Sequence, residues 1–289
     1  MNEKLSSSSE IFGYATGAGA GNHGCADGPV YLAEQRLVEN IKLLYEFKSD
    51  ENNPALEKIA ELCSRLAALT QQCVKDKKFF SVIGGDHSSG IGTWSGVAHA
   101  IRREGDLGLI WIDAHLDSHT PETTPSGNIH GMPVAVLLGQ GEQQLTQLSD
   151  KASKLKPENI CLIGPRSYES GEWELIKRLN VKVFYMQDVI ERGFEAVFKE
   201  AVERVSKNTA GYGISLDLDA LEPTEIPGVG TPEKNGLSPD IVCKVLHQHW
   251  IEKKHPFYGI EIAEFNPHLD NDNKTEKLIL KLLRIHDLI

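Results

Sequence analysis

Nowhere in this 289-residue chain do eighteen apolar residues run together, and the N-terminal MNEKLSSSSE lacks the apolar core of a secretion signal. Those absences predict a cytoplasmic protein without a membrane segment. Cysteine is too sparse to build a scaffold: Cys25, Cys63, Cys73, Cys161 and Cys243 are odd in number, scattered and free of any CxxC pair. That excludes a disulfide or zinc-thiolate framework and fits reduced thiols, so any metal site must be made from histidine and carboxylate. Positive charge is scarce as well, with 30 Lys and Arg against 41 Asp and Glu and a formal net charge of −11. Such a balance argues against non-specific binding to nucleic acid. Long Pro/Gly/Ser-rich linkers are missing too, which predicts one domain over residues 1–289 behind a disordered tip at residues 1–9.

What the chain does contain is an alternation of apolar, β-rich runs with helical patterns. IFGYATG is followed by a predicted helix from about Pro29 through Phe47, a second from Ala55 to Val74, and the strand FFSVIGG. Then come a helix near Ile91 to Arg103, the strand LGLIWID, a helix near Met132 to Leu138, and the strand NICLIGP. A helix from about Glu172, VKVFYM, a helix from Phe194 to Val205, GYGISLDLD, a helix from Pro239 to Lys253, FYGIEIAEF and a helix near Lys274 to Leu283 complete the series. Strands alternating with helices predict a mainly parallel sheet covered on both faces; periodicity leaves open a doubly wound sheet or a closed barrel.

In either case ligands bind beyond the carboxyl ends of the strands. FFSVIGG ends in Asp86 and His87, LGLIWID runs into Asp113, His115 and Asp117, GYGIS leads to Asp217 and Asp219, and FYGIEIAEF carries Glu264 and Asn266. In WIDAHLDSH the acids and imidazoles occur at every second position, which in an extended segment places Asp113, His115, Asp117 and His119 on one side. So many carboxylates in one place repel each other unless cations compensate them. Mixed carboxylate and imidazole donors suit first-row divalent ions such as manganese, with zinc, nickel, cobalt or iron as alternatives. Two histidines and four aspartates exceed what one ion with an open position needs, and suit a pair.

GGDHS (Gly84–Ser88), DAHLDSH (Asp113–His119) and SLDLDALEP (Ser215–Pro223) resemble, in order and spacing, the three metal motifs of the ureohydrolase family, which includes the arginases and agmatinases. The resemblance extends from Gly28 and Pro29 to EIAEFNP at Glu261–Pro267. It implies a three-layer α/β/α sandwich with a central, mainly parallel sheet, and a homo-oligomer, trimer or hexamer. It also implies a binuclear manganese centre ligated by His87, Asp113, His115, Asp117, Asp217 and Asp219, with Asp113 and Asp217 bridging. His87 and Asp117 would complete one shell, His115 and Asp219 the other. A hydroxide bridging the two ions would attack a guanidinium carbon and release urea and an amine. Catalytic parts fall to His130 as proton shuttle, Glu264 as partner of the guanidinium, and Asp117.

The substrate implied first is L-arginine, cleaved to urea and L-ornithine. Thr124, Ser126 and Asn128 match positions where arginases hold the α-carboxylate. His119 stands where arginases have an asparagine, and Glu169 where they have an aspartate near the α-amino group. Agmatine, formimidoylglutamate and other guanidino compounds are the alternatives within the family. From a different class, Gly19, Gly21 and Gly24 have the GxGxxG spacing of a dinucleotide-binding oxidoreductase, although Cys25 to Gly28 separate them from the helix expected at Pro29. His247 and His249 lie on opposite sides of their predicted helix and are not a metal pair.

Overall fold

The computed structural model describes residues 9–46 and 54–289. Its strands are β1 (Glu10–Ala15), β2 (Lys42–Tyr45), β3 (Phe80–Gly84), β4 (Leu107–Ile112), β5 (Ile160–Ile163), β6 (Lys182–Phe184), β7 (Gly211–Asp217) and β8 (Phe257–Ala263). They form one sheet in the order β2-β1-β3-β8-β7-β4-β5-β6, and every neighbouring pair is parallel. The helices are α1 (Asp27–Glu34), α2 (Ala55–Lys75), α3 (Ser89–Ile101), α4 (Pro133–Leu137), α5 (Gln143–Thr146), α6 (Ser170–Leu179), α7 (Met186–Arg192), α8 (Phe194–Val205), α9 (Pro239–Glu252) and α10 (Lys274–Ile285).

A period of two along each strand divides the interior. Leu107, Leu109 and Trp111 of β4 join Phe12, Tyr14, Phe80 and Val82 on the side covered by α2 to α6. Ile110 and Ile112 join Ile83, Ile214, Leu216, Ile260 and Ile262 on the side covered by α1 and α7 to α10. Central strands buried on both faces explain the near-continuous apolar runs. Along α2 the buried Ile59, Leu62, Cys63, Leu66, Ala67, Thr70 and Cys73 recur at three and four residues, the stripe a helix lays on a sheet. The outcome is an α/β/α sandwich around an open sheet, which settles the choice against a barrel. The C-terminal run packs within the chain: Leu278, Ile279, Leu280, Leu282 and Leu283 are all buried.

One expectation changes. The helix expected over Pro29–Phe47 stops at Glu34, and Lys42–Tyr45 forms an edge strand beside β1 instead. Helix spacing and a short apolar run are hard to tell apart over four residues, and only the free edge of β1 selects the strand. Phe47 and the expected tip, apart from Ser9, lie outside the described residues. Among the described residues no helix is long and apolar enough to cross a membrane.

Candidate metal centre

β3, β8, β7 and β4 are adjacent in the middle of the sheet, so the four acid-bearing strand ends open side by side. β4 ends at Ile112, and Asp113 begins a turn. Asp113 Oδ1 accepts the His115 N–H at 2.7 Å, while Oδ2 accepts Trp111 Nε1–H at 2.9 Å. A carboxylate that bonds the amide two residues on curls the chain out of the pleat. Asp117 then adopts a left-handed backbone, φ 47°. The one-sided alternation expected for an extended WIDAHLDSH is therefore replaced by a turn, and His119 joins a different group of side chains.

The turn brings together two clusters that share Asp113. His87, Asp113 and Asp117 form one group that could hold a metal ion, and Asp113, His115 and Asp219 form the other. His87 Nδ1 lies 3.2 Å from Asp113 Oδ2, 3.0 Å from Asp117 Oδ2 and 3.0 Å from Asp217 Oδ2. His115 Nδ1 lies 3.4 Å from Asp113 Oδ1 and 3.2 Å from Asp219 Oδ2. Asp113 thus turns one oxygen toward each imidazole. Asp217 Oδ1 accepts the Asp219 N–H at 2.9 Å, repeating the turn of Asp113 on β7.

Electrostatics in this cluster are frustrated. Burial works to raise Asp113, yet His115 and His87 hold it far below the usual carboxylate range. Burial and the Asp113 charge push Asp117 up to about 8, and burial with the Asp219 and Asp113 charges raises Asp217 well above its ordinary value. Burial lowers His87 and His115, but the surrounding aspartates outweigh it and raise both. Two imidazoles cannot neutralise four carboxylates, so protons fill the deficit. Within this cluster the buried His87 Nδ1 and Asp117 Oδ2 have no hydrogen-bond partner among the described residues. Unpaired imidazole nitrogen and carboxylate oxygen facing each other are donor atoms for a divalent cation, and the residues fit a pair of such ions.

Behind the cluster runs a row of polar residues that the sequence reading passed over. Trp111, Ser215 and Glu261 are register partners across β4, β7 and β8. His87 Nε2 is 2.9 Å from Ser215 Oγ, which donates to Glu261 Oε2 at 2.6 Å. Trp94 Nε1–H and Ser89 Oγ–H also donate to the buried Glu261 carboxylate. Three donors offset the cost of burying that charge. The Trp111 ring stacks on His87 at 4.1 Å between centroids. An acid in the middle of the apolar FYGIEIA was the available signal. Arg166 was also missed: its guanidinium donates to the carbonyls of Asp219, Glu233 and Lys234 at 2.8–2.9 Å, clamping the loop that carries Asp219.

Glu264 follows β8 in a left-handed conformation, φ 69°, held by its N–H bond to Gly85 O at 2.9 Å. Its Oε1 accepts the His87 N–H at 3.0 Å and faces His130 Nδ1 at 3.0 Å. Both contacts use Oε1, which leaves Oε2 outside them. Burial opposes protonation of His130, but Glu264 outweighs it and pushes the imidazole up to about 9.

The expected tail-binding residues divide. His119 Nε2 is 3.0 Å from Glu169 Oε2 and 3.5 Å from Glu172 Oε2, and its Nδ1 is 3.1 Å from Thr123 Oγ1. Glu172, which the sequence reading did not single out, also accepts the N–H groups of Glu169 and Ser118. Thr124 and Ser126 accept the N–H groups of Gly127 and Asn128, so these hydroxyls shape their own loop. In the glycine-rich segment the Gly19 and Gly24 N–H groups are taken by Asp86 and Asn22, which removes the donors a pyrophosphate would need. His249 bonds Tyr212 OH while His247 is exposed, so the two do not meet.

A sequence profile described as "Arginase family" matches residues 8–286. An arginase of Brevibacillus brevis is 39% identical over 256 residues, covering 84% of this chain and 80% of its own. The crystal structure of Bacillus subtilis arginase superposes with a TM-score of 0.85 at 34% identity, covering 96% of this chain and 97% of that one. The L-ornithine complex of Entamoeba histolytica arginase gives 0.85 at 29% identity, covering 97% and 98%. A profile match over nearly the whole length, on a fold whose strand ends gather two acid and imidazole clusters, places the chain in the arginase family.

Proposed function

We propose that this ureohydrolase is an arginase, cleaving L-arginine with water to L-ornithine and urea at a pair of manganese ions. The observation that carries it is the Asp113-centred pair of clusters beside Glu264 and His130. Its relatives named arginase, one of them seen with L-ornithine, support arginine over agmatine or formimidoylglutamate. In this reading His87, Asp113, Asp117 and Asp217 would hold one ion and His115, Asp113, Asp219 and Asp217 the other, Asp113 and Asp217 serving both. When bound, the ions neutralise the carboxylates and make a water acidic enough to serve as nucleophile near neutral pH.

The chain's own residues do the rest. Glu264 Oε2 receives the guanidinium through charge-assisted hydrogen bonds and fixes its carbon. Asp117 accepts a hydrogen bond from the attacking water and so orients it. His130, held protonated by Glu264, offers a proton to the departing amine, which must leave as ornithine's ammonium. Thr124, Ser126, Asn128 and His119 would receive the α-carboxylate, and Glu169 the α-amino group. Five buried free thiols suit a reducing compartment, and cytoplasmic placement and a trimeric or hexameric assembly belong to the same proposal.

Urea release from arginine, agmatine, guanidinobutyrate and guanidine, measured in manganese beside ammonia release from formimidoylglutamate, tests this reading. Arginine should give the largest kcat/KM. A larger value for any other compound reassigns the substrate, and silence on all five refutes a ureohydrolase.

A further inference from the structure

Asp86 lies next to a proposed ligand yet belongs to neither cluster. It is fully buried. Its Oδ2 accepts the Gly19 N–H at 2.7 Å, and its Oδ1 accepts the Ser88 N–H at 3.0 Å together with Ser88 Oγ–H. The other side of Gly19 is also engaged, because Gly19 O accepts the His130 N–H at 3.1 Å. From there His130 Nδ1 meets Glu264 Oε1, and the same oxygen accepts the His87 N–H, each at 3.0 Å. The peptide bond from His87 back to Asp86 closes the circuit. Residue 19 must be glycine for the first link to be this short: a Cβ there would sit 2.9 Å from Ile59 Cδ1 and 3.1 and 3.2 Å from the two Asp86 carboxylate oxygens.

We propose that Asp86 is a positioning residue for the reaction, fixing the backbone of His130 through the Gly19 peptide at a set distance from His87 and Glu264. The glycine-rich segment, whose Gly19 and Gly24 N–H groups are already engaged, then acts as the spacer between the two histidine-bearing motifs. A carboxylate suits the role because an N–H bond to an ionised acceptor is roughly twice as strong as a neutral one. The chain of contacts also explains why Asp86 is anchored on its far oxygen by two Ser88 donors: a carboxylate pinned at one end transmits position at the other. This inference rests on the shuttle role read for His130, so it needs one measurement that does not depend on turnover.

The test uses the metal-loaded protein with Asp86→Asn and Gly19→Ala, each alone and each combined with His130→Asn. Because a misplacement of about 1 Å can cost ~100-fold in rate, either single change should lower kcat for arginine by roughly 10- to 100-fold. The Michaelis constant should move less than about threefold and bound metal should stay at the wild-type level. Added to His130→Asn, neither change should cost more than about a further twofold, since residues acting through one another are not additive. Peptide-resolved hydrogen exchange supplies the independent readout: segments containing Gly19 and His130 should both exchange faster in Asp86→Asn, with α2 unchanged. Multiplicative losses on top of His130→Asn, metal loss in step with activity, or unchanged exchange at His130 would overturn the proposal. If Asp86→Asn does not fold, Gly19→Ala decides by the same criteria. If the wild type releases no urea from arginine, the functional reading fails while exchange still decides the Asp86 link.

Discussion

His87 Nδ1 and Asp117 Oδ2 face each other at 3.0 Å, both buried and both without a hydrogen-bond partner among the described residues. Two donors at right angles on an ion with bonds of about 2.1 Å sit roughly 3.0 Å apart, so the spacing is that of neighbouring ligands. Left without a cation, the pair belongs to the costliest kind of buried group.

Chelation should therefore cost stability as well as activity. Metal present at a hundred times its Kd contributes about 2.7 kcal/mol, and removing it should lower the melting temperature and abolish urea release until metal is restored. Asp113→Ala and Asp217→Ala should each lower bound metal, because in the proposed reading each would be shared by both ions. Wild-type metal content by elemental analysis in either variant would contradict that assignment.

Ser215→Ala removes the group that fixes His87 Nε2 and leaves Glu261 with one donor fewer. Losing such support for a ligand lowers metal affinity by about 10- to 100-fold. Metal titration followed by calorimetry reads the change, and equal affinity would make the Ser215 contact merely a packing feature.

His130→Asn should slow turnover by roughly 100- to 10,000-fold while leaving metal bound. Added imidazole should recover part of the rate. Loss of metal in this variant would move His130 from proton transfer to the ligand shell.

Glu169→Ala should raise the Michaelis constant for arginine more than for guanidinobutyrate, which keeps the guanidinium and a carboxylate but lacks the amino group. The side chain is largely exposed and its partner is His119, so little else should change. Equal effects on the two substrates would remove Glu169 from tail recognition.

A separate pH dependence comes from the far end of the sheet. Burial pushes His286 down to about 4, where it stacks on Phe79 and meets Trp250 and Phe257; Lys253 lowers it further, and Asp287 opposes. Its folded value lies below its unfolded one, so the unfolded chain takes the proton first. Stability is complete above pH 6.5 and falls as pH drops toward 4, by roughly 2 kcal/mol at pH 5. His286→Phe should flatten the urea-denaturation midpoint between pH 7 and 5 by that amount. An unchanged slope would exclude His286 as its source.

Strand and helix order was legible because burial on two faces writes long apolar runs, and the metal-site candidates because acids at the ends of such runs need a reason. Less was legible where the signal is short or comes from a partner. Lys42–Tyr45 reads as helix until the edge of β1 is available, and Ser215 and Glu261 look incidental until register sets them in one row behind His87. WIDAHLDSH shows the limit most plainly: its alternation suggested a pleat, whereas Asp113 accepting the His115 amide turns the chain.

By itself the sequence determined the chemistry available: which strands end in carboxylate and imidazole, and that no thiol or disulfide could replace them. Residue types and local order suffice for that, because the kind of donor atom and its metal preference belong to each residue. Only the tertiary structure decided which atoms meet. It gave Asp113 to two clusters, sent His119 to Glu169, and joined Asp86 to His130 through Gly19. Such meetings join distant residues, 50 positions apart for His119 and Glu169 and 67 for Asp86 and Gly19, and depend on strand order and register, which no local pattern encodes.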